Sequence, residues 1–302
     1  MNASGAKSAV ITGASSGIGR ATALLLAARG FRVFAAVRKA SDGSALEAEG
    51  GGAVVSIQLD VTDRALIARA AELVREQLGG GGLDALVNNA GIAQPAPLEY
   101  VSEEALRRQF EVNVFGQIAV TQAFLPLIRG ARGRIVNIGS VGSHIALPFG
   151  GALCASKAAF SSLSDSLRLE LRPSGIHVSL VEPGAIRTPA VDKTLGDPEA
   201  LIRSLPAEGA ARYGAALREF MRRGYARESK GSPPQVVAEA VYHALTARRP
   251  RLRYVVGADA RRLAALPRVL PQRLLDQVRL RTLGLYTEFG SDARRAASAP
   301  VH

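Results

Sequence analysis

Thr12-Gly13-Ala14-Ser15-Ser16-Gly17-Ile18-Gly19 separates a short apolar run, Ser8 to Thr12, from a helical pattern that continues to Arg29. The run reads as a β-strand and the glycines as a turn that opens a helix. Gly13 suits the positive φ of a tight turn, and Gly17 lets backbone amides approach an anion. Gly19 allows the helix to pack closely on the strand, and the helix N-terminus favours negative charge. A strand, a glycine turn of this spacing and a helix in that order predict a bound dinucleotide. Its candidate contacts are Gly13, Ser15, Ser16, Gly17, Ile18 and Gly19.

The end of the next strand selects between dinucleotides. A carboxylate about 20 residues after the glycine turn holds the ribose hydroxyls of NAD. Here Val37, Arg38 and Lys39 occupy that place, and the first acid is Asp42. A guanidinium grips a 2′-phosphate that a carboxylate would repel. Arg38 therefore predicts NADP (NADPH).

Outward from this unit the same rhythm repeats. Phe31 to Val37, Ala53 to Leu59, Leu83 to Val87, Arg134 to Ile138 and Ile176 to Val181 read as buried strands. Helical periods cover 64–78, a stretch from an N-cap at Ser102 with Glu104 nearby to about Arg129, and about Ala152 to Leu171. Alternating strands and helices predict an α/β doubly wound Rossmann fold, a mostly parallel seven-stranded sheet with helices on both faces. Tyr254 to Gly257 closes the sheet, so residues 1–257 form one dinucleotide-binding domain. Within it, about 189–234 breaks the rhythm with prolines and glycines and reads as a lid over the carboxyl edge of the sheet. Residues 258–302 form a basic, partly helical extension.

Composition narrows the class. The 302 residues are 47% hydrophobic with one cysteine, which excludes wholesale disorder, an internal disulfide framework and a thiolate-rich metal site. No His, Asp or Glu cluster has metal-ligand spacing. No apolar run approaches the ~20 residues of a membrane span, and the first residues lack a secretory pattern, so a cytoplasmic location is expected. The net charge is +12, and from Arg248 onward twelve arginines stand against four acids, two thirds of the excess. Leu263, Leu266, Leu270, Leu274, Leu275 and Val278 recur there at helical spacing, broken by Pro267 and Pro271. Two readings stay open: helices that pack their leucines on the domain, which is favoured, or a membrane-surface stripe flanked by arginines. With 5% aromatics and no recognition motif, nucleic acid is not expected as a partner.

The glycine turn, followed by Asp60-Val61, Asn88-Asn89-Ala90-Gly91, Asn113, Ser140, Lys157 and Pro183-Gly184, resembles the short-chain dehydrogenase/reductase family over about residues 7–257. The Val-Phe-Ala-Ala-Val-Arg strand and long lid look most like its hydroxysteroid and retinol dehydrogenase branch. By that resemblance Asp60, with Val61, contacts adenine, and Asn89, Ala90 and Gly91 flank the adenosine ribose. The backbone from Pro183 through Gly184 to Ile186, with the Thr188 hydroxyl, holds the nicotinamide carboxamide. Lys157 holds the nicotinamide ribose and lowers the pKa of a catalytic tyrosine, Ser140 binds the substrate oxygen, and Asn113 supports a water linked to the lysine. The resemblance also implies a homodimer or homotetramer and a small lipophilic carbonyl or alcohol substrate.

The family's tyrosine stands four residues before its lysine, on the same helix face. Here that position is Leu153, in Gly151-Ala152-Leu153-Cys154-Ala155-Ser156-Lys157. Leucine donates no proton, a loss of roughly 10²–10⁴-fold in acid catalysis. His144, four residues past Ser140 in a loop expected to line the substrate, is the first substitute to consider. Cys154, one position on, points elsewhere round the helix. Tyr213 and Tyr225 lie in the lid and read mainly as packing or substrate contacts, and His177 as a strand residue. Three functions follow from these residues: an NADP-dependent reductase that lacks the usual acid, a non-redox enzyme on the same scaffold, or an NADP-binding protein without turnover. The intact surroundings of Leu153 also suit an active-site variant of a tyrosine-bearing parent, and imines or activated alkenes become conceivable substrates.

Overall fold

The computed structural model describes residues 5–285 and residue 289. Seven strands, β1 (Ser8–Thr12), β2 (Arg32–Val37), β3 (Val54–Gln58), β4 (Ala85–Asn88), β5 (Arg134–Ile138), β6 (His177–Pro183) and β7 (Arg253–Val256), form one sheet. Its order is β3-β2-β1-β4-β5-β6-β7, and every neighbouring pair is parallel. The doubly wound α/β class holds, with a sheet more uniformly parallel than the mostly parallel one expected. The order reverses between β1 and β4, which opens the ligand crevice at the carboxyl ends of those strands.

Strand side chains alternate between two cores. Ala9, Ile11, Val33 and Ala35 face α1 (Gly17–Ala28) through Leu26 and α10 (Gln235–Thr246) through Val237 and Val241. Val10, Phe34, Ala36 and Leu86 face α3 (Arg64–Gln77) through Ile67 and Val74, and α5 (Gly116–Ala131) through Val120 and Phe124. The expected stretch from Ser102 is a helix in three parts. Ser102 caps α4 (Glu103–Phe110) by accepting from the Ala105 N–H at 3.1 Å. A π turn, Glu111–Phe115, then leads into α5. Next comes α6 (Gly151–Leu171), which carries Leu153 and Lys157.

Two regions depart from the sequence reading. Between β2 and β3 lies α2 (Ala40–Glu49), whose only buried residues are Gly43 and Leu46, so it shows no helical apolar stripe. The segment 189–234 is mostly helical: α7 (Pro189–Leu195), α8 (Pro198–Arg203) and the 23-residue α9 (Ala207–Ser229). Gly209, Gly214 and Gly224 on α9 are where Tyr100, Ile202 and Leu195 pack, since a Cβ there would meet them within 3.1–3.4 Å. Beyond β7, α11 (Ala260–Val269) carries Pro267 inside it, and α12 (Gln272–Leu283) starts after Pro271. Pro271 thus separates the two helices as expected, and Pro267 does not break one. Leu280, Leu283 and Leu285 join Phe149, Leu217, Phe220 and Met221 in a third core beneath the lid helix. Of the leucines singled out in the extension, Leu275 is 2% exposed and Leu274 46% exposed. The arginines at 294 and 295 lie outside the described residues.

Candidate active site

The glycine turn is built on sterics. Gly13 and Gly17 have φ of 64° and 56°, where side chains are strained. A Cβ on Gly19 would lie 2.2 Å from the Gly13 carbonyl oxygen and 2.5 Å from Asn89 Nδ2, and one on Gly17 would touch Thr188 at 3.2 Å. Thr12 ties this turn to the next strand. Its hydroxyl accepts from the N–H groups of Asn89 (2.9 Å) and Ala90 (3.0 Å). Asn89 Nδ2 donates back to the carbonyls of Thr12 (2.9 Å) and Gly13 (3.1 Å). The ends of β1 and β4 are thereby locked together across the crevice. A cleft at the start of α1, lined by Ser15, Ser16, Gly17 and Arg20 and closed by Pro189 and Pro234, meets the positive end of that helix. This fits a pyrophosphate. Ile18 packs against the core from the first turn of α1.

At the end of β2, Arg38 is exposed, as is Lys39. Asp60 Oδ1 accepts from the Thr62 N–H (2.9 Å) and hydroxyl (2.7 Å). Burial raises its pKa, but the Thr62 bonds and the charges of Arg108 and Arg38 more than offset this, so the carboxyl is held below its usual range. Arg108, also 3.3 Å from the Thr62 hydroxyl, is a second cation here that sequence reasoning missed. Val61 is buried, its carbonyl against Gly116.

The other side of the crevice carries Lys157, Asn113 and Ser140. Lys157 is buried, and its Nζ donates to the Ile138 carbonyl at 2.9 Å. That is its one hydrogen bond among the described residues, so two of its three protons are unspent. Burial pushes its pKa down to about 8. Gly91 leaves room beside it: a Cβ there would lie 3.7 Å from Nζ and 3.4 Å from Asn113 Oδ1. Asn113 sits in the π turn, a geometry frequent at functional sites. Its Oδ1 accepts from the Ile92 N–H (2.9 Å), and its Nδ2 donates to the Ile92 carbonyl (3.0 Å) and Ser156 Oγ (3.1 Å). Its amide is thus spent on clamping the loop after β4. Ser140 Oγ accepts from the Gly142 N–H at 3.0 Å, which orients the hydroxyl at the end of β5.

The loop after β6 is used internally. The N–H groups of Gly184, Ala185, Ile186 and Arg187 donate to Val256, Asp259, Glu228 and Ser232 respectively. For a carboxamide, the backbone from Pro183 to Ile186 therefore offers carbonyls rather than N–H donors. Thr188 stands against Gly17, which brings the two ends of the cradle together.

Leu153 is half-buried, one turn before Lys157. Nearby, Leu98 packs on Gly151 within 3.0 Å of where a Cβ would stand. Phe149, at φ 59° just before α6, meets Tyr213 and Phe220 edge-on, with ring centroids 6.0 and 5.5 Å apart. This aromatic wall joining the motif helix to the lid had no sequence signal. The side chains considered as replacement acids each face another protein group. His144 Nε2 lies 2.9 Å from Glu182 Oε1, off the line of a hydrogen bond. Glu182, fully buried, also accepts from Ser143 and Arg253. Cys154 is buried beside Gly142, and burial raises its thiol pKa. Tyr213 donates to Glu99 at 2.7 Å, which holds its phenol above the ordinary range, and Tyr225 donates to Asp192 at 2.9 Å. No group of three metal-ligating side chains occurs among the described residues.

A doubly wound sheet with a glycine cradle at its switch point defines the class: a dinucleotide-binding α/β protein. A model of the short chain dehydrogenase family matches residues 7–198. The chain belongs to the short-chain dehydrogenase/reductase family of oxidoreductases, which bind a nicotinamide cofactor, in its hydroxysteroid and retinol dehydrogenase-like branch. It is 39% identical to mouse retinol dehydrogenase 5 over 277 residues, 89% of this chain and 86% of the relative. A short-chain dehydrogenase from Burkholderia cenocepacia, solved in complex with NADP, superposes with a TM-score of 0.69 at 28% identity, covering 91% of this chain and 97% of its own. One from Burkholderia phymatum, in complex with NAD, gives a TM-score of 0.72 at 27% identity, with coverage of 90% and 95%.

Proposed function

We propose that the chain is an NADP(H)-dependent oxidoreductase that moves hydride between nicotinamide and a lipophilic carbonyl or alcohol, with unactivated ketones reduced slowly for want of an acid. The observation that carries this reading is the cleft at the start of α1, lined by Ser15, Ser16, Gly17 and Arg20, under a turn so tightly packed that a Cβ on Gly13, Gly17 or Gly19 would meet neighbouring atoms. When bound there, the dinucleotide supplies the hydride. Similar folds hold either cofactor, so the residue at the end of β2 decides, and Arg38 with Arg108 nearby suits a 2′-phosphate. Ser140 donates a hydrogen bond to the substrate oxygen, and the Lys157 ammonium places positive charge beside the charge that develops there. The Leu153 side chain excludes water from that spot and gives no proton. The aromatic wall of Phe149 and Tyr213, with Leu98, favours an apolar substrate.

NADPH binding, followed by calorimetry, should be at least tenfold tighter than NADH binding. NADPH oxidation should then be detectable against a panel of apolar carbonyls. Equal affinity for both dinucleotides would overturn the NADP assignment. Leu153 also favours a second reading, an NADP-binding relative without turnover. Tight binding with no acceptor reduced, by the chain or by Leu153→Tyr, would select it.

A further inference from the structure

The two edges of the sheet are finished differently. At the β3 edge the outward N–H of Ser56 is capped from α2: Glu47 Oε1 accepts from it at 2.6 Å and from the Ser56 hydroxyl at 2.8 Å. At the β7 edge the Leu180 and Gly184 N–H groups donate to the Leu252 and Val256 carbonyls. Alternate residues of a strand bond to opposite sides, so the N–H and C=O of Arg253 and Val255 turn away from β6. Among the described residues no strand lies beyond β7, and no side chain bonds to these groups.

Beside this edge runs a groove of about 560 Å³ between β7 and α10. One wall is the strand from Tyr254 to Val256. The other is a single stripe of α10, Val236, Glu239, Ala240 and His243, at i, i+3, i+4 and i+7. A fixed corner stands at the start of the strand: the Tyr254 hydroxyl accepts from the Arg251 N–H at 3.0 Å and bonds His243 Nδ1 at 2.8 Å. The charge here is one-sided. Arg251 and Arg261 line the groove and Arg248 and Arg249 precede it; all four are exposed, and none forms an ion pair among the described residues. Glu239, the one acid in the lining, faces Arg29 at 3.4 Å.

Two identical chains related by a two-fold axis would set these arginines against each other. An acidic strand meets the same charges with attraction, and Glu47 on Ser56 shows a carboxylate already serving a strand edge in this fold. Independently of the reductase reading, we propose that the β7 edge docks an extended acidic segment of another protein, which adds to the sheet as a further strand. Main-chain bonds to Arg253 and Val255 supply affinity, the α10 stripe receives alternate side chains, and Arg251 and Arg261 select for acid.

The probe is the acetylated and amidated peptide Glu-Val-Glu-Val-Glu-Val, titrated at low salt into the isotope-labelled chain and followed by amide NMR. Shifts should saturate at Val255, Gly257 and His243. Arg251→Glu combined with Arg261→Glu should weaken binding about tenfold or more, the worth of a charge-assisted hydrogen bond, with melting temperature and NADPH affinity unchanged. A peptide N-methylated at alternate residues should bind about tenfold more weakly or worse, and a Lys-Val repeat should not bind. No saturable shift with the acidic peptide, or equal binding of the lysine or N-methylated peptide, overturns the proposal. A dimer of the chain that Val255→Pro splits, with NADPH binding retained, would give the edge to a second copy and overturn it as well.

Discussion

The two sides of the crevice are held together differently. On the glycine-turn side, backbone sterics and reciprocal bonds do the work. Thr12 and Asn89 bond each other's main chains, and Gly19 has no room for a methyl group. On the reaction side, single side chains carry the chemistry. Lys157 rests on one carbonyl, Ser140 on one N–H, and the residue one turn before the lysine is a leucine. One substitution can therefore remove a chemical step from the second side and leave its architecture in place, whereas almost any substitution in the first disturbs the geometry.

The largest effect should come from restoring the acid. Leu153→Tyr should raise the reduction of apolar ketones by about 10²–10⁴, read from NADPH consumption. No change would mean that the anchors alone do not define the reaction side.

Next is the cost of burying Lys157. Its folded pKa of about 8 lies below the usual 10.5, so between those values the unfolded chain binds more protons. Stability should thus rise as pH climbs from about 8 to 10.5, by about 3 kcal/mol in all. Lys157→Met should remove that rise and stabilise the protein at pH 7, which denaturant titrations across this range would reveal. A flat profile in the parent would show that the ammonium is better solvated than its burial implies.

A charge reversal sharpens the first side. Arg38→Asp should weaken NADPH binding by about ten- to a hundredfold, the worth of a charge-assisted hydrogen bond. NADH binding should weaken far less, and an equal loss for both would remove Arg38 from the 2′-phosphate site. Smallest in stability, Gly19→Ala should cost about 1–3 kcal/mol through overpacking. It should weaken both dinucleotides together, and an unchanged melting temperature would mean that the turn can yield.

The sequence made the glycine-turn side legible because it is written in local spacing. Thr12 to Gly19 and Asn88 to Gly91 follow strands in sequence, and the fold places both at one switch point. The gap at Leu153 was equally plain, since i and i+4 on a helix share a face. The lid was not. The glycines of α9 argue against a helix by propensity, yet they make room for Tyr100, Ile202 and Leu195, and tertiary packing overrides their local cost. The partner of His144 was hidden for a similar reason. Glu182 lies 38 residues away along the chain, and the β5–β6 pairing brings the two together.

The most direct test sets the two sides against each other in one sample of the chain as it stands: calorimetric binding of NADPH alongside its oxidation by an apolar ketone. The account predicts tight binding with ketone turnover that is slow yet measurably above the enzyme-free rate. Rapid ketone reduction that Leu153→Tyr does not improve would contradict it, because a proton donor other than the residues described here would then be at work.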